Sequence, residues 1–208
     1  MPPVATETVL LHTADGLAID AEVSVPPAPW AAAVVAHPHP LYGGDMHNHV
    51  VTALYRSLPA AGIATVRFDF RGVGLSEGEH DHGQGERLDV AAAVDLVAPY
   101  ASDGPVVLCG YSFGAIVAAQ VVHPRLAGWL LVAAPLGEAP ALLAAPDHRP
   151  KLLLVPEHDQ LTSPAEARRL TAGWAATTVE DVPMADHSLL GATAAVAARA
   201  VELSRSLA

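Results

Sequence analysis

Residues 106–122 read VVLCGYSFGAIVAAQVV, and this stretch decides the fold. Val106 to Cys109 are apolar and begin with two β-branched valines, as suits a strand buried on both faces. Gly110-Tyr111-Ser112-Phe113-Gly114 then breaks the run, and from Ala115 onward the residues are the small and apolar ones of a packed helix. Strand, sharp turn and helix follow one another without a spacer. A serine held in such a turn takes strained backbone angles, and glycines two positions either side remove side chains that would collide with the neighbouring strand and helix. The strain lifts the hydroxyl clear of the sheet, where a substrate carbonyl can reach it.

Working outward, further apolar strands are expected at Ala31 to Ala36, Ala64 to Phe68, Gly128 to Ala133, Lys151 to Val155 and Thr177 to Val182. Helical spacing falls between them, at about Asn48 to Ala61, Glu86 to Tyr100, Phe113 to Val122 and Pro164 to Ala175, with a last helix from Ser188 to Leu207. The opening differs. Glu7 to His12 and Leu17 to Val25 flank the turn signal Thr13-Ala14-Asp15-Gly16, which reads as an antiparallel hairpin. The pattern predicts an α/β protein with a mostly parallel sheet of about eight strands and helices on both faces. Residues 135–150, between two strands, are too few for a lid domain.

The chain has 208 residues, 51 % hydrophobic and 16 % charged, a profile that excludes disorder and fits one domain over residues 1–208. Lys and Arg number 11 against 22 Asp and Glu, so the net charge of -11 repels nucleic acid and anionic membranes. A lone cysteine, Cys109, and an opening MPPVATETVLLHTADG without a basic or long apolar segment give the expectation of a cytoplasmic protein. Apolar runs stop well short of the roughly 18 residues a membrane span needs. Oligomeric state is not legible.

In an open α/β sheet, ligands bind beyond the carboxyl ends of the strands. The five-residue pattern around Ser112 recurs at Gly74-Leu75-Ser76-Glu77-Gly78, but no strand enters that segment and no helix leaves it, so Ser76 is assigned to a loop. A serine nucleophile needs a base, and the base needs an orienting carboxylate, in the chain order Ser, acid, His. Asp159 follows the strand KLLLV and His187 follows the last strand, which supplies that order. Glu157 and Asp186 compete as the acid. His123, His148 and His158 do not close a strand after the acid.

The tetrahedral intermediate needs two N–H donors. Phe113, after the nucleophile, is one. The second is expected from the loop His37-Pro38-His39-Pro40-Leu41-Tyr42-Gly43-Gly44, where Pro38 and Pro40 have no N–H, leaving His39, which is favoured, or Leu41. Pocket walls are expected from Leu41, Tyr42, Leu136, Leu161 and Leu189. His37-x-His39 and His47-x-His49 are also the kind of pairs that hold zinc. Prolines interrupt them and no Asp-His follows at metallohydrolase spacing, so imidazole hydrogen bonds that orient the loop are preferred, with no metal or cofactor expected.

HPHPLYGG, RFDFRGVGLSEG, GYSFG, the Asp159 loop and His187 together resemble the α/β-hydrolase superfamily over nearly the whole chain. More narrowly they resemble small lidless bacterial carboxylesterase-like serine hydrolases. The resemblance implies Ser112 as nucleophile, Asp159 as orienting acid, His187 as base, and His39 and Phe113 as backbone donors. Two positions depart from the superfamily pattern: Pro38 and Pro156 stand where glycine is common. The implied reaction is hydrolysis of carboxylic esters with short acyl chains. Peptidase, thioesterase or acyltransferase chemistry on the same residues is the alternative, as is a binding protein that keeps the scaffold without turnover.

Overall fold

The computed structural model describes residues 5–208; the first four residues of the opening stretch lie outside them. The strands are β1 (Ala5–His12), β2 (Ala18–Val25), β3 (Ala31–Ala36), β4 (Ile63–Phe68), β5 (Val106–Tyr111), β6 (Leu126–Val132), β7 (Lys151–His158) and β8 (Thr177–Asp186). The helices are α1 (His49–Ala60), α2 (Glu86–Val97), α3 (Phe113–Ala119), α4 (Pro164–Leu170) and α5 (Thr193–Ser206).

One sheet carries all eight strands in the order β1-β2-β4-β3-β5-β6-β7-β8. β1 pairs antiparallel with β2, and β2 antiparallel with β4, while the remaining pairs are parallel. The expected hairpin and mostly parallel sheet are therefore present. Strand β3 shows why the middle is buried: AAAVVA is inaccessible throughout, with Ala31, Ala33 and Val35 in one core and Ala32, Val34 and Ala36 in the other. Period-two alternation divides the side chains between two apolar layers. α1 and α5 close one layer through Val50, Leu54, Leu58, Val196 and Ala200. α2 and α3 close the other through Val90, Val94, Val97, Ile116 and Val117. Trp129 is fully buried on β6, and burial of each such large side chain contributes about 1.5–3 kcal/mol.

Helix ends are where expectation and structure part. The last helix begins at Thr193, not Ser188, because residues 188–192 form a turn in which Leu189 (φ 56°) and Gly191 (φ 82°) take left-handed conformations. α4 stops at Leu170, five residues early, and the Thr171 hydroxyl donates back to the Ala167 carbonyl at 2.8 Å. Between β6 and β7 lies only a short 3-10 turn, Leu136–Glu138, among loop residues. Among the described residues no helix is long and apolar enough to cross a membrane.

Candidate active site

The sheet's parallel strands all deliver their carboxyl ends to one edge, and there the site is assembled. β5 runs straight into Ser112, whose φ of 53° and ψ of -116° lie outside the regions an ordinary side chain favours. Its N–H donates to the Val132 carbonyl at 2.9 Å and its carbonyl accepts from Ala115 at 2.9 Å, so strand and helix hold the bend from both sides. A Cβ at Gly110 would lie 2.3 Å from the Gly114 carbonyl oxygen, and one at Gly114 would lie 2.5 Å from the carbonyl oxygens of Ala36 and His37. Neither position tolerates a side chain.

At the ends of β7 and β8 two more groups turn toward Ser112. Asp159 follows β7, and its Oδ1 accepts the N–H groups of Leu161 (2.8 Å) and Thr162 (3.3 Å), which fixes the carboxylate. His187 follows β8; its Nδ1 lies 2.9 Å from Oδ2 and 3.1 Å from Oδ1 of Asp159, and its Nε2 lies 2.9 Å from Oγ of Ser112. The Asp159 side chain is 1 % exposed and that of His187 21 %. A proton on Nδ1 held by the carboxylate leaves the Nε2 lone pair facing the hydroxyl, the arrangement that can remove its proton. The rival acids are occupied elsewhere: Glu157 accepts the Met184 N–H at 2.7 Å, and Asp186 accepts the Ser188 N–H at 3.0 Å.

Two contacts that the sequence did not announce hold the imidazole. The Tyr111 hydroxyl donates to the His187 carbonyl at 2.8 Å, and burial, followed by the charges of Asp159 and Asp186, pushes that phenol up to about 12, so it keeps its proton. His49 Nε2 lies 2.7 Å from the Ser188 carbonyl, tying the start of α1 to the same turn.

The loop after β3 lines the opposite wall. His37 is completely buried; its Nδ1 lies 2.6 Å from the Pro38 carbonyl and its Nε2 accepts the Phe70 N–H at 3.0 Å. Burial depresses it to about 4, and the two bonds require the neutral ring with the proton on Nδ1. Imidazole hydrogen bonding thus orients this loop. Among the described residues no three His, Cys, Asp or Glu side chains converge on a point fit for a metal ion.

The Leu41 N–H is already taken by His39 Nδ1 at 3.2 Å, which removes Leu41 as a free donor. Among the described residues the N–H groups of His39 and Phe113 have no protein acceptor, and both residues line the cavity that Ser112 and His187 face. That cavity holds about 740 Å³. Of the five expected wall residues, Tyr42 and Leu161 line it. Leu136 and Leu189 do not, because they are buried in the two cores, and Leu41 does not, because it points out to solvent. The walls the sequence reading missed include His82, Gly83, Ile116 and Gln120. Gln120 carried a visible signal, a lone amide in an apolar helix. His82 and Gly83 carried none, since their place depends on the buried Glu86 carboxylate, which accepts the N–H groups of Asp81 and Gly83 at 2.8 Å each.

Comparison with known proteins agrees with this architecture. Residues 31–149 match the model of a hydrolase family described as serine aminopeptidase, S33. An uncharacterized protein of Rickettsia prowazekii is 35 % identical over 158 residues, 72 % of this chain and 65 % of that protein's length. A lidless α/β serine hydrolase from Xanthomonas campestris superposes with a TM-score of 0.86 at 27 % identity, covering 98 % of this chain and 95 % of the other. An α/β serine hydrolase homologue from Coxiella burnetii gives 0.82 at 29 % identity over 97 % of both chains. With more than half its length matched and its fold shared over 97–98 % of the chain, the chain belongs to this S33-type hydrolase family of the α/β-hydrolase superfamily.

Proposed function

We propose that the protein is a serine hydrolase that cleaves carboxylic esters through an acyl-enzyme intermediate. The observation that carries this reading is the continuous hydrogen-bonded line from Ser112 Oγ through His187 to Asp159, at 2.9 Å for each link. Ser112 Oγ attacks the acyl carbon as His187 Nε2 takes its proton, and Asp159 steadies the imidazolium. The oxygen that becomes negative is held by the N–H groups of His39 and Phe113, donors that exist before substrate arrives and need no reorganisation. Collapse expels the alcohol, which receives the proton from His187. Water, activated by the same imidazole, then releases the acid and restores Ser112.

An ester is favoured over an amide because an alcohol leaves more easily than an amine. Peptide-bond cleavage, which the matched family's description raises, is the competitor. The expectation of short acyl chains rested on an open site without a lid; the cavity has room for more. A panel of p-nitrophenyl esters and the matching anilides tests the reaction. Ester hydrolysis well above anilide hydrolysis, lost in Ser112→Ala, is the expected result. Turnover that survives Ser112→Ala, or anilides cleaved in preference, would overturn it.

A further inference from the structure

The cavity does not end at the reacting serine. Ser112, Ile116 and Gln120, four residues apart, line it with Phe113 beside them, so it follows α3 from N-cap to C-cap, eight helical steps or about 12 Å. Pro135, Ala139 and Pro140 belong to the same lining and add apolar surface to it. Its far end is different. Gln120 is buried, and its amide makes one long hydrogen bond, Nε2 to the Ile116 carbonyl at 3.4 Å. With Nε2 as the donor to Ile116, Oε1 is the free end of the amide. Among the described residues no donor reaches Oε1, which is accessible rather than sealed off and so is left for a partner in the cavity that Gln120 lines. Gly83 packs on the same amide: a Cβ there would come within 3.4 Å of Nε2.

Resting on the ester-hydrolase reading, we infer that Gln120 determines specificity by accepting a hydrogen bond from an uncharged polar group at the tip of a medium-length acyl chain. An extended chain of about eight carbons reaches that depth. A tip that donates, such as a hydroxyl or carboxamide, completes Oε1 and can accept from the remaining amide proton. An anionic tip is disfavoured, because among the described residues neither Lys nor Arg lines the cavity and the protein's net charge is -11. A purely apolar tip leaves the oxygen unpaired when water is displaced.

The test compares p-nitrophenyl octanoate with the ester in which hydroxyl replaces the terminal methyl, on the wild type and on Gln120→Met. The ratio of kcat/KM, hydroxyl over methyl, is expected to be about tenfold higher in the wild type than in the variant, a cycle in which the intrinsic difference between the chains cancels. An equal ratio overturns the inference. The wild type alone gives a second reading that needs no folded variant: capping the hydroxyl as its methyl ether removes the proton Oε1 requires, and most of the preference should go with it. No loss on capping also overturns it. If the wild type cleaves p-nitrophenyl octanoate but shows neither effect, the specificity assignment fails alone; if it cleaves neither these esters nor the acetate, the ester-hydrolase reading fails.

Discussion

The chain writes Gly-x-Ser-x-Gly twice and puts the two copies to opposite uses. At Ser112 the hydroxyl stands in the cavity, 2.9 Å from an imidazole that follows a distant strand. At Ser76 the hydroxyl is buried in its own loop, donating to the Asp69 carbonyl at 2.6 Å and accepting the Asp20 N–H at 2.9 Å. The glycines differ as well. Gly110 and Gly114 are required by the backbone that crowds them, whereas Gly74 (φ 57°) and Gly78 (φ 81°) are required by their own left-handed conformations. Five residues do not make a site; what enters and leaves them does. A strand before and a helix after open one serine to the cavity, and the turn between β4 and α2, together with the Asp20 N–H on β2, satisfies the other.

Substitution at the two serines should separate these roles most widely. Ser112→Ala is expected to lower kcat by about 10⁴-fold or more with the melting temperature little changed, since among the described residues the only partner of the hydroxyl is His187, which Asp159 still holds. Ser76→Ala should do the reverse, costing about 1–3 kcal/mol of stability by orphaning a buried N–H and a buried carbonyl, with kcat within a few-fold of wild type. Denaturant unfolding beside an ester assay reads both; equal losses of activity in the two variants would break the comparison.

The glycine two residues after Ser112 sharpens it. Gly114→Ala brings a methyl onto two backbone carbonyls, neither of which belongs to a flexible side chain, so a loss of several kcal/mol or failure to fold is expected. A Gly114→Ala protein with a wild-type unfolding midpoint would contradict the account of why that glycine is there.

A smaller effect belongs to the wall that faces Ser112. His37 is neutral and buried with a folded-state value of about 4 against an ordinary 6.5, so the unfolded chain binds the extra proton between those values. Its contribution is complete above about pH 6.5 and is lost as pH falls toward 4, on the order of 3 kcal/mol in all. Asp69, raised by burial, works in the opposite sense, so the informative quantity is the difference between wild type and His37→Gln. That difference should shrink from pH 7 to pH 4.5; a difference independent of pH would show that the ring is not held neutral.

Least severe is Tyr111→Phe, which removes the hydroxyl that holds the His187 carbonyl. Roughly a tenfold fall in kcat with little change in KM is expected, as the imidazole loses one anchor and keeps Asp159. A raised KM with kcat intact would place Tyr111 on the substrate instead.

Much of this was legible because the signals were local. Buried parallel strands read as unbroken apolar runs, so β3 was found to the residue and β4 to β8 within a few. The serine, the acid and the histidine each follow a strand, and strand ends share an edge. Pocket walls were harder, since Leu136 and Leu189 are apolar whether they face a cavity or a core, and only the turn at Leu189 decides that it goes inward. Tyr111 and Gln120 were in plain sight within the opening stretch, but their partners, the His187 carbonyl and the walls across the cavity, lie far along the chain. Those depend on the assembled sheet.

The central claim, that one of two like serines is a free nucleophile, is tested most directly by treating the folded protein with a fluorophosphonate and mapping the adduct by peptide mass spectrometry. A single adduct on Ser112, abolished by His187→Ala and absent from Ser76, is the predicted result. An adduct on Ser76, or folded protein that stays unlabelled, would contradict it.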